Sequence, residues 1–149
     1  MTRTLALVAA LLLVAGPAAA QLPNPTLTPG ATRAVTFHTL CTPGSAGKAR
    51  AVSAATKRAV FARYHVTPTP GAYEVDHLIS LELGGSNDVT NLWPQPYHGK
   101  LNAHDKDRLE NRLHALVCRG QVPLTDAQHA IATDWVAALA KYGGVGGPR

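Results

Sequence analysis

The feature that most constrains this chain is the stretch 73–96, where a run of turn-forming residues, Gly84-Gly85-Ser86-Asn87-Asp88, separates two apolar segments. Glycine reaches positive φ without steric cost, and Asn and Asp side chains bond nearby backbone, so the chain can reverse there. Before the turn, Val75, Leu78, Ile79, Leu81 and Leu83 predict short extended segments around an adjacent acid and imidazole, Asp76-His77. After it, Leu92-Trp93-Pro94-Gln95-Pro96 leads through a proline-bounded loop to a charged amphipathic segment opening near Asn102. Strand, turn, strand and helix, with the acid and imidazole closing the first strand, can hold a metal ion and a base. The expected class is α+β, with the rest of the chain as a frame around this unit.

The first 20 residues read as a secretory signal peptide. Arg3 gives a positive start, Leu5 opens an unbroken apolar run to Ala15, and Ala18-Ala19-Ala20 precedes Gln21 as a small-residue cleavage pattern. The apolar run is short of the ~20 residues that a bilayer span needs. The expected product is therefore secreted or periplasmic, without a membrane anchor; its oligomeric state is left open, a monomer being favoured. From the 149 residues this leaves 129, enough for one domain with one core. Without Arg3 there are 13 Lys and Arg against 9 Asp and Glu, a modest excess compatible with a phosphate-bearing partner.

The two cysteines, Cys41 and Cys118, are expected to pair in an oxidising compartment, two free buried thiols being the alternative. Two cysteines cannot make a structural zinc knuckle, so a metal bound here is expected to have O and N ligands. Residues 21–34, rich in proline, read as an extended linker, and residues 35–40 as a short edge strand. Ser53 caps an expected helix over 53–64, with Lys57, Arg58 and Arg63 on a solvated face. A second helix is expected over 102–118, where Leu109, Leu113, Leu116 and Val117 fall at helical spacing. Thr125-Asp126-Ala127-Gln128 reads as a capping box opening a third helix to about Tyr142, with Ile131, Trp135, Val136, Leu139 and Tyr142 inward. Residues 143–149 read as a flexible tail, leaving 35–142 as the domain.

Asp76-His77, then Gly84-Gly85, then Asn91-Leu92 fourteen residues after the histidine, then a helix opening Asn102-Ala103-His104-Asp105-Lys106-Asp107, resembles the HNH endonuclease family. The similarity is closest to small exported HNH-like proteins, and is strongest from Tyr73 to Leu113. The resemblance implies a ββα-metal core and hydrolysis of DNA or RNA phosphodiesters with little sequence specificity. It implies that His77 is the general base, that Asn91 holds the loop so that His77 points correctly, and that Asp76 is a metal ligand. Asn102 matches the position of the last ligand, with His104 as a second candidate. Lys100, Lys106 and Arg108 would hold flanking phosphates of the nucleic-acid backbone.

The family's third letter is a histidine, and asparagine is a weaker ligand, so this variant suits Mg²⁺, or Mn²⁺, better than Zn²⁺. Each residue also has a plainer reading. His77 can be a hydrogen-bonded structural histidine, Asp76 a turn acid, Asn102 a helix N-cap, His104 a surface residue and Glu82 a solvent-facing strand residue. The alternative functions are a non-catalytic secreted nucleic-acid-binding module and a structural envelope protein, both keeping the same frame.

Overall fold

The computed structural model describes residues 22–144, so the expected signal peptide and the last five residues of the expected tail lie outside the described residues. In chain order the elements are α1 (Phe37–Leu40), α2 (Ser45–Ala49), α3 (Ala54–Arg63), β1 (Tyr73–His77), β2 (Leu92–Pro96), α4 (Ala103–Cys118) and α5 (Leu124–Tyr142). This is a mixed α+β fold with a small antiparallel hairpin, several helices and one disulfide.

β1 and β2 pair with Tyr73 opposite Pro96, Asp76 opposite Trp93 and His77 opposite Leu92. Both strands are edges, which is why β2 tolerates Pro94 and Pro96, neither of which can donate to a ladder. Leu81–Leu83 forms a 3₁₀ turn and not the expected strand, because Gly84 at φ 77° turns the chain back there. Gly85 is equally constrained: a Cβ on it would lie 1.7 Å from the Ile79 carbonyl oxygen. The buried Asn91 side chain closes this connection. Its oxygen accepts from the Ile79 N–H at 2.9 Å, and its nitrogen donates to the carbonyls of Ile79 and Ser86, each at 2.9 Å.

Residues 22–34 contain a turn at 25–27, and they are stitched into the domain and do not hang free as an extended linker. The Gly30 N–H donates to the Thr90 carbonyl and the Arg33 N–H to that of Gly84, while the fully buried Thr28 hydroxyl donates to the Leu92 carbonyl. The expected edge strand at 35–40 is instead one helical turn, capped by the Thr36 hydroxyl and anchored by buried Leu40. Ser53 does cap α3, but Arg63 is not on a solvated face. Its guanidinium donates to the carbonyls of Leu27 and Val89.

The core joins Leu109, Leu113 and Val117 of α4 to Ile131, Trp135 and Ala138 of α5, over Leu78, Leu83 and Trp93 of the hairpin unit. Val136, Leu139 and Tyr142 are only partly buried against it. α5 begins at Leu124 after Pro123, and the expected capping box is not made. Gln128 donates across the fold to the Leu83 carbonyl at 2.7 Å instead of returning to the helix start. At Asp134 (φ −159°, ψ 90°) α5 breaks, and that carboxylate accepts from the N–H groups of Val136 and Ala137, capping the second half. Cys41 and Cys118 are bonded, tying the end of α1 to the end of α4.

Candidate functional site

β1 brings Asp76 and His77 to the lining of a cavity of about 330 Å³, which α4 and the end of α2 also line. Four carboxylates line it, Asp76, Glu82, Asp107 and Glu110, together with Arg50, His77 and Ser80. Oε2 of Glu82 and Oγ of Ser80 are buried without a hydrogen-bond partner. Glu82 thus faces inward from a 3₁₀ turn, and is not the expected solvent-facing strand residue.

The His77 ring is 1% exposed, and its Nε2 lies 3.0 Å from Oδ1 of Asn87. Burial lowers its pKa below the ordinary histidine range, only partly opposed by the Asn87 contact and by Asp76. The ring is therefore neutral at neutral pH. Asn87 came from the turn run of the sequence, where its link to a residue ten positions back had no visible signal.

Lys106 lies one turn inside α4, is fully buried, and was expected to hold a phosphate. It cannot. Its ammonium donates to Asp76 Oδ2 at 2.7 Å, to the His77 carbonyl at 2.6 Å and to Glu110 Oε1. Burial works against that charge, but Asp76 and Glu110 more than offset it, so Lys106 stays protonated above the ordinary lysine range. Burial also raises the Glu110 carboxyl, against the opposing pull of Lys106, and raises Asp107, with Asp76 adding to the effect.

The expected helix-start ligands are not brought to Asp76. Asn102 is the N-cap of α4: its oxygen accepts from the Asp105 N–H and its nitrogen donates to the Gly99 carbonyl. His104 has a side chain 73% exposed, with Nδ1 4.0 Å from Asp107 Oδ2, and neither residue lines the cavity. Of the expected phosphate contacts, Lys100 and Arg108 remain exposed, the latter paired with Asp105 at 2.9 Å.

A compact candidate metal-ligand triad exists elsewhere. Cys41, His114 and Cys118 bring their ligand atoms within 4.8 Å of one another. His114 had no role in the sequence reading, although its spacing of four from Cys118 on one helix was the available signal. Both sulfurs are in the disulfide, so no thiolate is present, and His114 Nε2 lies 3.1 Å from the Leu40 carbonyl. The triad can take a metal only in the reduced state.

Comparison with family models, with curated proteins and with solved structures returned no match to this chain.

Proposed function

We propose that this chain is an exported phosphodiester hydrolase of the HNH type, a nuclease acting on DNA or RNA with little sequence specificity and using a divalent cation, Mg²⁺ ahead of Mn²⁺. The observation that carries the reading is His77: an imidazole kept neutral by burial, beside Asp76, on the wall of an open acid-lined cavity. A neutral imidazole accepts a proton from the attacking water at a pH where carboxylates are already too weak as bases.

The donor set fits a hard cation. Its atoms are oxygens, and Glu82 Oε2 and Ser80 Oγ are buried there without partners. Asp76, with the unpartnered Oε2 of Glu82, would hold the ion, in place of the Asn102 and His104 first expected. A divalent ion bound there supplies positive charge for the phosphate and for the departing oxygen. Lys106 ties Asp76 to Glu110, and Asn91 fixes the connection that follows His77. Arg50 of the cavity lining, with exposed Lys100 and Arg108, would bind backbone phosphates without reading bases.

A second reading is favoured by one observation: the α4 residue facing Asp76 is a buried cation, Lys106. A non-catalytic binding module would keep that ion pair as structure alone. Incubating the purified protein with supercoiled plasmid or RNA, with Mg²⁺, Mn²⁺ or chelator, separates the two. Metal-dependent cleavage is expected, lowered at least ~10²-fold in His77→Ala. Retention of nucleic acid without cleavage under every metal condition, weakening as salt rises, would establish the module instead.

A further inference from the structure

The Asn87 side chain makes three hydrogen bonds that fix more than a turn. Its Oδ1 accepts from the Ala51 N–H at 3.2 Å, and its Nδ2 donates to the Ala49 carbonyl at 2.8 Å. Those two backbone groups determine which end of the amide is which, because a flipped amide would set donor against donor and acceptor against acceptor. The atom 3.0 Å from His77 Nε2 is therefore an acceptor oxygen, and Nε2 must carry the proton. Nδ1 is left with its lone pair as the acceptor of the ring.

We propose that Asn87 is the positioning residue for the His77 base, holding the ring in the Nε2–H tautomer with Nδ1 as the accepting nitrogen and locking that ring to residues 49–51, which carry Arg50 to the cavity. The inference rests on the nuclease reading for the word base; the tautomer assignment does not. In the reaction a water proton passes to Nδ1 while Nε2–H stays on Asn87, so the imidazolium that forms keeps its hydrogen bond. One amide thereby ties the proton acceptor to the segment that brings Arg50 to the cavity. Removing it releases the ring and that segment together.

The test is ¹⁵N-resolved NMR of the His77 imidazole in the intact protein, without substrate, beside steady-state cleavage. Wild type is expected to show a single Nε2–H tautomer. Asn87→Leu is expected to lose that preference and to lower kcat by ~10- to 100-fold with KM changed about twofold or less. Asn87→Asp, which keeps an acceptor oxygen there, should restore the Nε2–H form. An Nδ1–H ring in wild type, or an unaltered Nε2–H ring in Asn87→Leu, would overturn the proposal. Should Asn87→Leu fail to fold, the wild-type spectrum alone decides. A wild-type Nε2–H ring in a protein that cuts nothing sinks the nuclease reading and leaves the tautomer assignment standing.

Discussion

An ammonium sealed from water needs an oxygen for each of its three N–H bonds, and Lys106 finds them in Asp76, Glu110 and the His77 backbone. Two carboxylates around one ammonium leave an excess negative charge in a place that solvates charge poorly. The consequence falls on Glu110, whose carboxyl burial raises above its ordinary value of 4.5. A raised pKa means that the folded protein keeps a proton that the unfolded chain releases. This contribution is therefore complete below about pH 4.5 and is lost as pH rises through the folded value. Denaturant unfolding in chelator at a series of pH values should show stability falling above that range, and Glu110→Gln should flatten the slope. His77 acts in the opposite sense, since its lowered pKa makes the unfolded state take a proton first as pH falls below 6.5. An unchanged slope in Glu110→Gln would mean that Glu110 is ionised in the fold as it is in the unfolded chain.

At the scale of elements, the hairpin connection rests on two residues that cannot be exchanged. Gly85 has backbone of Ile79 where a side chain would go, and Asn91 bonds both the N–H and the carbonyl of that same Ile79. Gly85→Ala should cost at least ~2 kcal/mol in urea unfolding, because the obstacle is main chain and cannot rotate aside. Unfolding midpoints within experimental scatter of wild type would show that the connection yields. The hairpin, α3, α4 and α5 were legible in sequence because turn residues and helical spacing are local signals. The capping of Ser53 and the leucine stripe of α4 are cases in point. What was not legible depended on contacts across the chain. Thr36 and Leu40 make a helical turn of a segment that alternates like a strand, and Gln128 gives its amide to Leu83 and not to its own helix. Lys106 read as a surface cation for the same reason, since its partners Asp76 and the His77 carbonyl lie about thirty residues away. Asn102 shows the reverse case: its ability to cap was evident locally, and the cap consumed the oxygen expected to bind metal.

Across the whole molecule, α4 is the shaft on which everything is mounted. Lys106, Glu110, His114 and Cys118 recur every four residues, so they form one slowly turning stripe from the cavity to the disulfide. At the far end, Cys118 holds Cys41 and with it α1 and α2, whose continuation at residues 49–51 contacts Asn87 beside His77. The bond closes a sequence separation of 77, for which the loop-entropy account gives ~4 kcal/mol. Reduction, or Cys41→Ala with Cys118→Ala, should lower stability by ~2–5 kcal/mol in denaturant unfolding. The loss should also be local: hydrogen exchange at residues 45–51 should quicken more than in α5, which is held by its own core contacts. Reduction must be followed in chelator, because it frees two thiols beside His114, and a thiophilic ion such as Zn²⁺ would then bind the folded state and mask the loss. If chelated, reduced protein matches the oxidised form in both midpoint and exchange, α1 and α2 are held by packing alone, and the disulfide plays no part in fixing the wall of the cavity.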